Sequence, residues 1–333
     1  MRNSLYLIAL SLLVFSCAPK KVVQNANNLP KPTPLTVPLP PKPEIKHDIS
    51  GDFFTVNIAD TTKNDNTISY GSLVGAKPEG YTVTRKNFPA VAQNFRQKYL
   101  ILHYTALDHD KSVRVLTTQS VSSHYLVNDS TDVEIYQLVD ENKRAYHAGV
   151  SSWRKDVTLN DTSIGIEIVN MGFKEVNGKR VFAPFPDFQV KKVAALVKDI
   201  VNRYQIPPTN ILGHSDIAPT RKQDPGPEFP WKKLYTDYGL GMWYDDATKQ
   251  NFMSQIVPEE YTAKINDASF IMKVQIALKQ FGYGLDQSGV WDDATKKTIE
   301  AFQYHFRPEN YDGIMDAETW AILQALNQKY PNK

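Results

Sequence analysis

The chain has 333 residues, a formal net charge of +2 and a single cysteine, Cys17. This length can hold a full-sized catalytic domain and a smaller second domain. The near-neutral charge gives no electrostatic reason to expect a nucleic-acid partner. One cysteine excludes intramolecular disulfides and cysteine-rich metal sites.

The first 16 residues predict an export signal. They carry the basic residue Arg2 near the start, continue with an apolar segment over residues 5–15, and end with the small residue Ser16 directly before Cys17. The apolar segment is too short to span a bilayer stably. The pattern is typical of a bacterial lipoprotein signal peptide, which is cleaved before a cysteine that then carries the lipid. The alternative is an ordinary secretory peptide followed by a chance cysteine.

Residues 17–50 are predicted to form a tether behind this anchor. Prolines recur through the segment, interleaved with lysines. Such a density disfavours helix and favours extended polyproline II, which acts as a semi-rigid spacer. Residues 51–98 mix Asn, Thr and Gly without a clear period, and no element is assigned to them.

Strand-like and helix-like segments alternate after residue 98. Strands are predicted over residues 99–104, 124–127, 135–139, 163–169 and 211–213, and helices over residues 112–119 and 187–204. The longer helix carries its valines and isoleucines on one face. The alternation predicts an α/β catalytic domain over residues 51–245, with a mixed central β-sheet flanked by helices.

The C-terminal part contains an internal repeat. Residues 289–295 align with residues 313–319, and in each copy a turn glycine and an aspartate precede a helix. Asp292 and Asp316 fit the N-cap position. Together with an earlier helix over residues 269–281, this predicts a small three-helix domain over residues 265–330, joined by a linker over residues 246–264.

Five residues at or near predicted strand ends carry the chemistry. His103 and Glu167 lie in two strands, His214 directly follows a third, and Lys222 and Asp224 follow in the next loop. Imidazole and carboxylate are zinc ligands, and a lysine can direct positive charge at the same point. An acid inside an apolar strand is costly unless it has a partner or a task. Singly, each residue has an ordinary structural explanation; together they predict a zinc hydrolase.

The ordered segments resemble the zinc N-acetylmuramoyl-L-alanine amidases of the Amidase_2 type, which are related to the peptidoglycan recognition proteins. The resemblance is carried by residues 103–106, 122–127, 147–149, 159–167, 217–219, 221–227 and 229–231, and in the helical module by residues 302–303, 305–308 and 316–319. The module itself resembles a peptidoglycan-binding domain, and a helical cap without wall contact is the alternative.

The resemblance implies a site for one zinc ion per chain. Its ligands would be His103, His214 and Asp224, with Glu167 as the general base and Lys222 as the group that stabilises the oxyanion. The bond cut would join the lactyl group of N-acetylmuramic acid to L-alanine, in peptidoglycan or in muropeptides.

Four further residues are predicted near the cleft. His147 and His124 lie in family motifs and would contact substrate or support the ligands, with a buried core position as the alternative for His124. Trp153 and Arg154 would line the sugar or peptide groove, although a buried tryptophan is equally common.

The resemblance and Cys17 together imply a lipoprotein of the cell envelope, at the outer membrane and facing the periplasm. Two other functions remain open. One is a peptidoglycan-binding protein without catalysis, against which the presence of Asp224, Glu167 and Lys222 argues. The other is a zinc hydrolase of a different cell-wall bond, which the ligand set alone does not exclude.

Overall fold

The computed structural model describes residues 76–84, 86, 92 and 94–332. The predicted signal peptide, the tether with Cys17 and residues 51–75 lie outside the described residues. Across the part of the chain that is described, no helix is both long and apolar enough to cross a membrane.

Strands and helices alternate through the catalytic domain, and helices alone make up the C-terminal part. In chain order the elements are β1 (Tyr99–Tyr104), α1 (His109–Thr118), β2 (Tyr125–Val127), β3 (Tyr136–Gln137), β4 (Ser152–Trp153), β5 (Asp156–Val157), β6 (Ser163–Ile168), β7 (Phe173–Val176), β8 (Lys179–Phe182), α2 (Asp187–Tyr204), β9 (Ile211–Gly213), α3 (His214–Ile217), α4 (Trp231–Tyr238), α5 (Asp246–Ser254), α6 (Pro258–Lys264), α7 (Ala268–Phe281), α8 (Asp293–Phe306) and α9 (Ala317–Lys329).

The central sheet has five strands in the order β3-β2-β6-β1-β9. Strands β2, β6, β1 and β9 are parallel, and β3 pairs antiparallel with β2. This mixed sheet confirms the predicted α/β class. The hairpins β4–β5 and β7–β8 and the short helix α3 were not predicted, because elements of two to four residues show too little hydrophobic periodicity.

Strands β1 and β6 form the centre of the core. Leu100, Ile101, Leu102, Ile164 and Ile166 have no exposed surface. A parallel sheet is covered on both faces, so its strands are apolar throughout instead of alternating. Each such side chain stabilises the fold by about 1.5–3 kcal/mol relative to an exposed one. The apolar face of α2 packs into the same core.

The strand register brings the predicted site residues to one rim. His103 on β1 lies opposite Glu167 on β6, and Leu102 lies opposite Gly213, the last residue of β9. His214 follows Gly213 directly. Because these strands are parallel, their carboxyl ends meet at the same edge of the sheet, and the three side chains belong to neighbouring positions there.

The C-terminal part contains the three predicted helices, α7, α8 and α9. We call these helices, together with the loops that join them, the C-terminal module. Residues 246–264, predicted as a linker, form α5 and α6. These two helices contact the module: the Tyr261 hydroxyl donates to the Met315 carbonyl at 2.7 Å, and Lys249 pairs with Glu318 at 3.1 Å.

The sequence repeat of the module has a structural counterpart. Gln275 accepts a hydrogen bond from the Gly289 backbone N–H, and Gln303 accepts one from the Gly313 N–H, each at 2.8 Å. Asp292 and Asp316 cap the N-termini of α8 and α9 by accepting from the backbone N–H three residues on. This confirms their predicted N-cap role.

Candidate active site

Three side chains at the rim converge on one point. The Nδ1 atoms of His103 and His214 lie 3.0 Å apart, and Asp224 Oδ2 lies 2.8 Å from the first and 3.0 Å from the second. All three residues are buried. The Ser215 backbone N–H donates to the Asp224 carbonyl at 2.9 Å, which ties the two ligand-bearing segments together.

The spacing of these atoms fits a zinc ion. Two ligands of tetrahedral zinc with bonds of 2.0–2.2 Å lie roughly 3.3 Å apart, close to the separations within this triangle. Among the residues that the structure describes, no fourth ligand joins the cluster, so a tetrahedral zinc ion held here would keep one position for water or substrate. That is the pattern of catalytic rather than structural zinc sites.

The electrostatics of the cluster also suit a cation. Burial opposes ionisation of Asp224, but His214 and His103 hold the pKa of its carboxyl well below its usual range. Burial, together with the nearby His214, lowers the pKa of His103 to about 4. His103 is therefore neutral at pH 7 and Asp224 is ionised, which are the forms that bind a metal.

A chain of hydrogen bonds selects the ring nitrogen that His103 presents. The Ser163 hydroxyl donates to the Leu159 carbonyl at 2.6 Å, so its oxygen accepts from His147 Nε2 at 3.1 Å. His147 Nδ1 then has no proton and accepts from His103 Nε2 at 3.0 Å. The lone pair of His103 Nδ1 is thereby directed into the cluster. Such outer partners fix the tautomer of a metal-binding histidine.

His214 is oriented in the same way by a backbone group. Its Nε2 lies 3.1 Å from the Ala148 carbonyl, to which it donates, so Nδ1 carries the lone pair. Asn160 accepts from the backbone N–H groups of His147 and Ala148 and holds that loop in place. Ser163 and Asn160 were missed as site residues because one sequence gives no sign that a strand serine or a loop asparagine supports a ligand.

Glu167 stands across the strand pair from His103. Its Oε2 is inaccessible to solvent and has no hydrogen-bond partner among the described residues. Burial, and next the negative charge of Asp224, raise the pKa of Glu167 to about 8, while the positive charge of Lys222 opposes the shift. A buried carboxyl group without a partner is costly, and such groups are typical of catalytic acids and bases.

Lys222 lies two residues before Asp224 and is partly exposed. Its charge acts on the pKa of both Glu167 and His103. Its backbone N–H donates to the Ala218 carbonyl at 3.0 Å, which fixes the start of the loop. The lysine thus contributes a positive charge that acts on both Glu167 and His103.

His147 and His124 are buried beneath the site. His147 packs so closely over Gly165 that a Cβ there would lie 2.5 Å from its ring. His124 accepts from the Gly165 N–H through Nδ1 and donates from Nε2 to the Lys143 carbonyl, both at 3.0 Å. The structure therefore places His147 as a support of His103, and His124 in the core position that the sequence left as its alternative.

Trp153 and Arg154 contact the C-terminal module. Trp153 has no exposed surface, and its indole packs edge-on against Phe281 and Tyr283 of the C-terminal module. The backbone N–H of Arg154 donates to the Gly282 carbonyl at 2.8 Å. The prediction that Trp153 stacks on a sugar is wrong for this structure, because both faces of the indole are covered by protein.

Comparisons with known proteins agree with this geometry. A family model described as N-acetylmuramoyl-L-alanine amidase matches residues 93–227, and one described as a peptidoglycan binding domain matches residues 267–323. The N-acetylmuramoyl-L-alanine amidase AmiD of Escherichia coli K12 is 42% identical over 258 residues, which cover 76% of this chain and 90% of that protein.

Solved structures give the same result. E. coli AmiD, in complex with the substrate anhydro-N-acetylmuramic acid-L-Ala-D-gamma-Glu-L-Lys, matches with a TM-score of 0.69 at 40% identity, covering 77% of this chain and 98% of that one. AmpDh3 from Pseudomonas aeruginosa, in complex with an anhydromuramic pentapeptide, matches with a TM-score of 0.64 at 41% identity, covering 78% and 100%. The chain therefore belongs to the Amidase_2 family of N-acetylmuramoyl-L-alanine amidases.

Proposed function

We propose that the chain is a zinc-dependent amidase that cleaves the bond between the lactyl group of N-acetylmuramic acid and L-alanine of the stem peptide. The observation that carries the proposal is the buried triangle of His103, His214 and Asp224 with the unpartnered carboxyl of Glu167 beside it. The relatives act on or bind anhydromuramic peptides, which supports the same substrate class here.

The residues divide the reaction between them. A zinc ion held by the triad would polarise the scissile carbonyl and acidify a water molecule. Glu167, kept basic by its buried position, accepts the proton of the attacking water and passes it to the leaving nitrogen of L-alanine. The ammonium group of Lys222 stabilises the negative charge that develops on the carbonyl oxygen. Because His103 and His214 are held by His147 and by the Ala148 carbonyl, the ligands need little reorganisation.

The proposal is tested by incubating the full chain without its first 16 residues with purified sacculi and with an anhydromuramic peptide. The reaction is run with zinc, after chelation, and with Glu167→Gln; Glu175→Gln, an exposed acid on β7, is the matched control. Mass spectrometry should find free stem peptides that begin with L-alanine, lost on chelation and in Glu167→Gln but retained in Glu175→Gln.

Other products would decide against the proposal. Sacculi that capture the protein without releasing peptide would indicate a wall-binding protein. New amino groups inside the peptide or on the sugar would indicate a hydrolase of another wall bond.

We also propose that the enzyme is attached to the cell envelope through a lipid on Cys17, at the outer membrane facing the periplasm, with residues 17–50 as the spacer. The support is the signal-like sequence ending at Ser16 and the wall-binding family of the module. A Cys17→Ala chain should move from the membrane fraction to the soluble fraction. An unchanged membrane fraction would contradict the anchor.

A further inference from the structure

The C-terminal module packs against the catalytic domain behind the metal ligands. Phe281 and Tyr283 of the module belong to the same continuous hydrophobic core as strands β1 and β6. Trp231 of α4 stacks on His305 of α8, with ring centroids 3.9 Å apart and planes at 17°. The module and the catalytic domain therefore share buried packing.

Asp216 is the polar centre of this contact. It lies in α3, two residues after His214, and is 1% exposed. Its Oδ1 accepts from the Tyr283 hydroxyl at 2.8 Å, and its Oδ2 accepts from His305 Nδ1 at 2.7 Å. Oδ2 also accepts from the Gly213 backbone N–H at 2.8 Å, at the start of α3. Two of its three donors therefore come from the module.

The position of His305 leaves one of its ring nitrogens without a hydrogen bond to any described residue. Its Nε2 is buried and has no partner within the described residues, and the ring is enclosed between Trp231 and Phe306. An unpartnered ring nitrogen destabilises the fold. The hydrogen bond to Asp216 is the one polar contact of this side chain that the structure shows.

The module reaches the second ligand segment as well. Tyr304 and Tyr311 pack edge-on against Phe182 of β8. Phe182 lies against Gly226, where a Cβ would come within 2.7 Å of its ring. Gly226 is two residues after Asp224, so the same module supports the loops of both His214 and Asp224.

We propose that the C-terminal module positions the zinc ligands, through Tyr283 and His305 acting on Asp216, in addition to any contact it makes with the wall. The inference rests on the proposed zinc site. A buried carboxylate that loses a hydrogen-bond donor moves to regain a partner. Because Asp216 holds the first turn of α3, its displacement shifts His214 Nδ1 and the Ser215–Asp224 hydrogen bond.

The test measures zinc affinity in the full chain by chelator competition. Tyr283→Phe removes one donor, His305→Leu removes the other, and His305→Asn restores a nitrogen at the place of Nδ1. Tyr261→Phe is the matched control, since it removes a hydroxyl hydrogen bond from α6 to the module that does not involve Asp216. Binding of the chelated proteins to sacculi reports the wall contact separately.

Tyr283→Phe and His305→Leu should weaken zinc binding about tenfold, as outer contacts of metal ligands do. His305→Asn should recover most of the affinity, Tyr261→Phe should bind zinc like the wild type, and capture by sacculi should stay unchanged. If His305→Leu does not fold, Tyr283→Phe still tests the proposal, because this variant keeps the aromatic ring and is expected to fold.

The proposal is overturned if Tyr283→Phe binds zinc like the wild type, or if Tyr261→Phe weakens binding equally. A wild-type chain that binds zinc but releases no stem peptide would contradict the proposed function and leave this inference standing. A wild-type chain that binds no zinc would contradict both.

Discussion

One carboxyl oxygen of Glu167, Oε2, is inaccessible to solvent and has no hydrogen-bond partner among the described residues. The contribution of this side chain to catalysis can be measured by a substitution that keeps its shape. We expect Glu167→Gln to lower kcat by about 10²–10⁴-fold, because the amide cannot accept the proton of the attacking water. Zinc affinity should stay near that of the wild type, since Glu167 is not among the proposed ligands. A variant that lost zinc instead would assign Glu167 to metal binding.

The same residue should make the metal-free protein less stable. A raised pKa means that the folded chain binds the proton of Glu167 more tightly than the unfolded chain does. The ionised form therefore costs stability, increasingly from the ordinary value of 4.5 up to about pH 8. Metal-free Glu167→Gln should melt at a higher temperature than the metal-free wild type at pH 8. The difference should shrink towards pH 4, and a difference independent of pH would contradict this account.

The hydrogen bond between Ser163 and His147 is predicted to fix the tautomer of His103, and a substitution of Ser163 tests this. We expect Ser163→Ala to weaken zinc binding by about 10–100-fold, because His147 loses the acceptor that fixes its tautomer. Ser112→Ala is the control, since Ser112 is also buried and donates to a backbone carbonyl, of Asp108, outside the site. Chelator competition measures both, and equal affinities would show that the tautomer of His103 is fixed without Ser163.

At the scale of elements, Glu141 joins the loop after β3 to strand β2 and helix α2. It is 8% exposed and accepts from both terminal nitrogens of Arg203 and from the hydroxyls of Tyr125 and Tyr204, at 2.5–2.6 Å. Although burial opposes ionisation, these donors lower the pKa of its carboxyl. The contribution to stability is therefore present above the ordinary value of 4.5 and is lost as pH falls through the lower folded value.

Glu141→Gln should reduce the free energy of unfolding at pH 7 by about 3–5 kcal/mol, because it leaves Arg203 without a buried counter-charge. The difference in unfolding free energy between the variant and the wild type should become smaller as the pH falls below about 4.5. Asp199→Asn removes the exposed partner of the same arginine and should cost less than about 1 kcal/mol. Denaturant unfolding at several pH values measures the loss of unfolding free energy in each variant. Equal losses in Glu141→Gln and Asp199→Asn would contradict the role of burial.

At the scale of the whole molecule, the catalytic domain and the C-terminal module share one hydrophobic core. We expect them to unfold in a single cooperative transition, because exposing either interface removes packing from both. Zinc at 1,000 times its dissociation constant should add about 4 kcal/mol, which raises Tm by roughly 10 °C. Scanning calorimetry with and without chelator measures this, and two separate transitions would contradict a shared core.

Much of the fold could be predicted from one sequence because its signals are local. The apolar strands at β1 and β6, the apolar face of α2 and the aspartate caps of α8 and α9 each follow from a few neighbouring residues. Helix α1 starts at His109 instead of residue 112, because Asp108 caps it by accepting a hydrogen bond from the Lys111 backbone N–H. The short hairpins β4–β5 and β7–β8 were missed, because two to four residues are too few to show a period.

The sequence by itself determined the α/β class and the three-helix module, because these depend on local pattern. The zinc ligands and the base that we propose follow from the resemblance of its ordered motifs to the family. Only the tertiary structure decided which side chains surround them. Ser163 beneath His147, Trp153 inside the domain interface, and Tyr283 and His305 on Asp216 are contacts between residues far apart in the chain. No local period or composition records such contacts, since they form only when distant segments of the chain pack together.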